Sequence, residues 1–518
     1  QQQKIIDKLI SLVQPDKDQA LLAEIYMRQG DLYTQLGNYD EAERVLNNAI
    51  NNWRSLSDVI GESRCLRSMG FLRWHQGRYK EAIKCNEEAL GIDRQREDLM
   101  AIATDLTNLG AVWRNFGDSK RSLKFLEEAL KIYETKQKPV KQAFTLYSIA
   151  NVHREQDALD RALTQYGLAH EIFEQYHDRV MSSRAVAGIA SIKREQGKIH
   201  ESLDLYKDVV KVTREINFRQ GLSHALRSAG ELLIALNKPR QALDHLLEST
   251  EVFAELKDKQ NEAEIWEKIG NIYEEKLYEY EEAIGAWRKT KELQIMLNDY
   301  CGAIETLEKM AQLAMQRFSE SAMALRYFHD ALDIAVKIGN RKREGKLLNT
   351  IGIIEWHKKS YDLALKHYEK AFDIYHELKD PAHKGLMLNS IGITLHKLGH
   401  YEEALDRLRK AVEMNHQAEE QLLEGHGLAA IGDIYHDLGE HEQAVYHYQA
   451  SFEIRQKIGD HKGQGWMLHS LALVYSDQDL YDKAGDYLTQ AQTIAEECDD
   501  MELHHACNHI FSQLPGKE

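Results

Sequence analysis

Proline is scarce in this chain: five in 518 residues, Pro15, Pro139, Pro239, Pro381 and Pro515, so almost nothing interrupts a helix over long distances. Cysteine is equally sparse. Cys65, Cys85, Cys301, Cys498 and Cys507 are odd in number and mostly far apart, which argues against a disulfide framework and for a reducing cytoplasmic setting. No apolar run approaches the length of a membrane span, about 20 residues. The start, QQQKIIDKLI, has no signal-peptide pattern. It also lacks an initiator methionine, as expected of a fragment of a longer protein. Basic charge is in deficit: 66 Lys+Arg against 83 Asp+Glu gives a formal charge of −17, which works against the phosphate attraction that nucleic-acid binding needs. Neither a nucleic acid nor a membrane is expected as a partner.

Signatures of catalysis are missing too. The chain has no GxGxxG after a strand, no HExxH, no GxSxG and no strand pattern to host them. GNRKREGK, from Gly339 to Lys346, has five residues between its glycines instead of the four of a phosphate loop, and Leu347 stands where a hydroxyl is needed. Cys498, His504, His505, Cys507 and His509 gather near the end, with His505 and His509 one helical turn apart, but the second half of a zinc site is absent. The expectation is a non-enzyme with no cofactor and no metal.

What the chain has is repetition. Glycine or alanine recurs at Gly30, Gly70, Gly110, Ala150, Ala190, Gly230, Gly270, Ala311, Gly352, Gly392, Gly432 and Ala472, spaced by 40 residues and twice by 41. Twelve or thirteen positions behind each stands Ala42, Ala82, Ser122, Ala162, Ser202, Ala242, Ala283, Ala324, Ala364, Ala404, Ala444 or Ala484. Such columns mark places where two helices cross closely. Between the columns lie turn residues, Gly37, Gly77, Gly117, Gly197, Gly399 and Gly439, with Asp157, Asn237 and Asp479 standing in. Twelve residues before the first column, in most units, lies a helix-capping side chain: Asp18, Asp58, Asp98, Asp178, Asp258, Asp299, Asn340, Asp380 or Asp460. Each unit therefore reads as a capped helix, a tight turn and a second helix running back.

At these columns the chain resembles the tetratricopeptide repeat (TPR) family. GDLYTQLGNYDEAERVLNNAI from Gly30 and GDIYHDLGEHEQAVYHYQASF from Gly432 follow its small-residue and aromatic pattern, and the 40-residue period resembles the subclass of Pins-type spindle-orientation adaptors. The resemblance implies an all-α fold, a right-handed superhelical α-solenoid of about twelve helix-turn-helix repeats with terminal capping helices. Residues 1–17 would form an N-terminal capping helix, 18–497 twelve repeats with irregular spacing in the seventh and eighth, and 498–518 a C-terminal capping helix and tail.

The same resemblance implies a protein-interaction scaffold in the cytoplasm that binds an extended peptide along its first helices. The family's groove positions fall here on three zones. The basic ladder is Arg64, Arg67, Arg114, Arg154, Arg184, Arg194 and Arg227, suited to an acidic segment. An acidic zone holds Glu231, Glu267, Glu274 and Glu308. Aromatic, histidine and amide side chains follow at Trp74, Trp356, His357, Asn349, Asn389, His396, His436 and Trp466. Asn151 and Asn271 lack the lysine that a chaperone-tail clamp requires. The alternative expectation is the recognition arm of a larger signalling enzyme, an NTPase switch or a caspase-like protease, with catalysis encoded elsewhere.

Overall fold

Capping and turn chemistry set the element boundaries. In the computed structural model, which describes residues 18–317 and 320–514, the side chains of Asp58, Asp98, Asp178, Asp258, Asp299, Asn340, Asp380 and Asp460 accept backbone N–H bonds two or three residues on. Asp18 makes no such bond. Every turn residue expected between paired helices is left-handed: Gly77 at φ 72° and Gly117 at 93° are the extremes among the glycines, and Asn237, Asp157 and Asp479 adopt 55°, 57° and 59°. Glycine holds that conformation without the Cβ penalty, and Asn and Asp tolerate it best among other residues.

Among the described residues, twenty-five α-helices follow one another from Gln19–Gln35 to Met501–Phe511. Most span 17 residues, about 25 Å. Consecutive helices pack in antiparallel pairs, more extensively within a hairpin than between hairpins. The small-residue columns lie at the crossings. A Cβ added at Gly110 would stand 2.5 Å from Leu126 Cγ, and at Gly432 2.7 Å from the Tyr448 ring. The second column is wholly buried from Ala42 to Ala484. Where it carries serine, the hydroxyl crosses the interface: Ser122 donates to the Gly110 carbonyl and Ser202 to the Ala190 carbonyl, both at 2.7 Å.

In the seventh repeat the extra residue is absorbed at the end of the first helix. The helix Lys259–Ile272 runs into a π-turn, Tyr273–Leu277, which closes with Tyr278 at φ 59°. The inserted position therefore widens one turn of helix instead of lengthening a loop.

The chain divides into two compact units, Gln1–Ile265 and Trp266–Glu518. In the first, Trp53, Tyr133, Phe173 and Phe253 fill equivalent places near the ends of second helices. In the second, Trp287, Phe328, Tyr368, Tyr375 and Tyr448 are among the large buried side chains, and Met501–Phe511 buries Leu503, Cys507 and Ile510 against the preceding hairpin. The N-terminal capping helix expected over residues 1–17 lies outside the described residues.

Candidate functional site

The first unit pairs most of the arginine ladder internally. Arg67 reaches Asp93 at 2.8 Å and Asp105 at 3.1 Å, both carboxylates fully buried. Arg96 and the Ser63 hydroxyl also bond Asp93, each at 2.6 Å. Burial pushes the Asp105 carboxyl up to about 7 against the pull of Arg67. Arg64 pairs with Glu24 at 3.1 Å and Arg114 with Glu155 at 3.6 Å. Glu231 lies 3.3 Å from both Arg194 and Arg227, and Arg227 also meets Glu264 at 3.1 Å. Here the glutamates act as counter-charges to the ladder.

Two ladder arginines differ. Among the described residues, Arg154 and Arg184 have no carboxylate at ion-pair distance, and Arg184 instead lies over the Phe218 ring, 5.2 Å from its centroid. Both line one cavity of 470 Å³. Its walls come from Pro139–Glu155, Arg179–Glu195 and Arg219–Ala235, the first helices of three successive hairpins, with Tyr166 and Tyr206 from second helices behind them.

The cavity exists because two repeat positions lose their bulk. Three residues before the small-residue column, the neighbouring repeats carry Tyr147 and Arg227, but this one has Ala187. Where most other second helices of this unit place an aromatic ring, Trp53, Tyr133, Phe173 or Phe253, this repeat has Thr213. Phe218 takes the helix-capping position, where most repeats have Asp, and its ring lies against Gly221. Gly188 admits Tyr166, since a Cβ there would meet the ring at 2.7 to 2.9 Å. Tyr166 donates to Asn151 at 2.7 Å and packs edge-on to Tyr147. His224, also in the lining, is held below its ordinary value by burial and by Arg227, so it is uncharged at neutral pH. Reading the ladder from the sequence misses Tyr147, Tyr166 and Phe218, although the Ala187 and Thr213 deviations mark the place.

Trp74 lines a separate 180 Å³ cavity with Arg67, Phe71 and Asn86. The half-exposed Phe71 stacks on it.

The second unit holds the remaining candidates. Glu267 accepts from Lys309 at 2.5 Å and Glu308 from Arg343 at 2.8 Å. Glu274 sits in the π-turn, its carboxyl raised by burial and by Glu275. Asn389 is buried and donates to the Leu423 carbonyl at 2.8 Å, which places it between hairpins. His396 and His436 form a matched pair of staples, each Nε2 2.7 Å from an aspartate of the next hairpin, Asp437 and Asp477. Trp356 is half-buried with its indole N–H unpartnered among the described residues, Asn349 Oδ1 is likewise unpartnered, and His357 is exposed. Trp466 packs into the terminal core.

Among the described residues, no three His, Cys, Asp or Glu side chains come together as a metal would require, and no helix is long and apolar enough to cross a membrane.

A tetratricopeptide repeat family model matches residues 21–95, 65–135, 343–415 and 426–497. A second tetratricopeptide repeat model matches 390–456, and a model of anaphase-promoting complex subunit 5 matches 160–263. None of the three is particular to Pins-type adaptors. No curated protein matches the chain. Similar solved structures include a Rap protein complexed with competence and sporulation factor, at 18% identity over 65% of this chain and 92% of that one, TM-score 0.43. The apo quorum sensor NprR from B. thuringiensis is 13% identical over 64% and 91%, TM-score 0.42. A putative kinesin light chain from Podosopora anserina with nearly identical TPR-like repeats is 12% identical over 37% and 95%, TM-score 0.33. With the first model's matches spanning half its length and the small-residue columns at crossings within its hairpins, the chain belongs to the tetratricopeptide repeat family.

Proposed function

We propose that this chain is a non-catalytic scaffold that holds an extended, acidic segment of a partner protein against the first helices of its first unit. The observation that carries this reading is the pair Arg154 and Arg184. In a protein of net charge −17, the ladder arginines around them are matched by carboxylates, while these two border an open cavity without one. A guanidinium in that position is free to fork onto a carboxylate from outside. Extended segments bound to repeat arrays gain affinity from many modest contacts along the array, so the pair would supply specificity at one point of a longer footprint.

Affinity capture from the source lysate tests this. The full chain and its R154E/R184E variant are compared at moderate salt, after circular dichroism shows equal helicity, and captured proteins are identified by mass spectrometry. The expected result is a defined set of proteins lost in the variant. An identical set on both forms would contradict the proposal.

A further inference from the structure

The cavity beside Arg154 and Arg184 offers more than one carboxylate would use. Its 470 Å³ lies within the range of sites that enclose a whole ligand, about 300–1,000 Å³. Two kinds of wall meet in it. Tyr147 and Phe218 present aromatic rings, with the buried Tyr166 behind them, and the two arginines, from successive first helices, present charge. A glutamate side chain brings one negative charge and no ring, leaving one guanidinium unmatched and the ring-lined volume unfilled. A phosphate monoester brings about −1.5 to −2 near pH 7 and three strong acceptor oxygens, enough to accept forked N–H pairs from two arginines. An aromatic ring carrying that phosphate could pack edge-on or offset against the wall rings.

The site is also prepared for such a ligand. Arg184 is held against Phe218, so less side-chain freedom is lost on binding. Tyr166 is fixed by its bond to Asn151. With His224 uncharged, the positive charge in the lining is left to the arginines.

We propose that this cavity is a phosphotyrosine site, the phosphate lying between Arg154 and Arg184 and the ring between Tyr147 and Phe218. This rests on the reading that the first unit holds a partner segment, and names the residue which that segment inserts.

Calorimetric titration of the full chain tests it, using three peptides of one acidic sequence that differ only at the centre: phosphotyrosine, tyrosine or glutamate. Adenosine monophosphate serves as a free small molecule that carries both a phosphate monoester and an aromatic base. The phosphotyrosine peptide is expected to bind at least about tenfold tighter than the other two, a difference of roughly 1.4 kcal/mol. R154Q and R184Q should each abolish that preference, while R326Q, at an exposed position of the second unit, keeps it. Equal binding of the glutamate and phosphotyrosine peptides would overturn the phosphate assignment and leave the acidic-segment reading intact. Adenosine monophosphate binding as tightly as the phosphotyrosine peptide would overturn the assignment to a protein segment. An unchanged preference in both arginine variants would overturn the site itself. Absence of binding by all three peptides would also overturn the phosphotyrosine proposal, and the scaffold reading would then stand or fall on the capture experiment alone.

Discussion

Asp105 occupies a position that is buried and apolar in most repeats of the first unit, as at Ile25, Cys65 and Ala185, and Asp93 stands where most carry an aromatic ring. Arg67 compensates both, so it serves the interior. Arg67→Met should therefore destabilise the first unit by about 3–5 kcal/mol, the cost of leaving the buried Asp105 without its cation while Asp93 keeps Arg96, as read from urea unfolding. Wild-type stability in that variant would refute the role. A pH effect follows as well. The Asp105 carboxyl in the folded chain stands at about 7, above its ordinary 3.8, so the folded state takes up the proton more readily than the unfolded one. Its contribution to stability is full below the ordinary carboxylate value and is lost as pH rises through about 7. Asp105→Asn mimics the protonated acid. Its stability relative to wild type should rise between pH 5 and 8, by on the order of 2 kcal/mol at the upper end, measured as urea midpoints across that range. A pH-independent difference would contradict the assignment.

The helical hairpins were legible because their chemistry is local. Caps, left-handed turns and small-residue columns each lie within one 40-residue unit, and the structure places them at helix starts, helix ends and crossings. The same substitution should have opposite effects at two kinds of glycine. Gly110→Ala drives a Cβ to 2.5 Å from Leu126 Cγ and should cost about 1–3 kcal/mol by overpacking. Gly91→Ala, in the helix Tyr79–Gln95, meets nothing within 4 Å and should stabilise by about 0.5–1 kcal/mol through helix propensity. Paired urea titrations decide this, and equal signs would contradict the crossing role of the first column. The extra residue of the seventh repeat was visible in the spacing, but its form as a π-turn was not, because hydrogen-bond register within a helix leaves no mark on side-chain spacing.

Across the whole molecule, the charge zoning was legible only as sign. Arg67 is bonded to residues 26 and 38 positions away and Arg194 to one 37 positions away, separations that join adjacent hairpins and that a single repeat does not reveal. Of the seven ladder arginines, Arg154 and Arg184 alone lack a carboxylate partner among the described residues, and the cavity beside them lies where bulk is missing at Ala187 and Thr213. A repeat array tolerates such local loss because each hairpin is supported by its neighbours on both sides. In the second unit, part of the expected aromatic and histidine surface is spent on holding hairpins together, through His396 and His436 to aspartates and through the buried Asn389.

Hydrogen–deuterium exchange of the full chain, with and without a protein captured in an R154E/R184E-sensitive manner, tests the central claim most directly. Partner-dependent protection should concentrate on Pro139–Glu155, Arg179–Glu195 and Arg219–Ala235. Protection confined to the second helices of these hairpins, or to residues beyond Trp266, would contradict it.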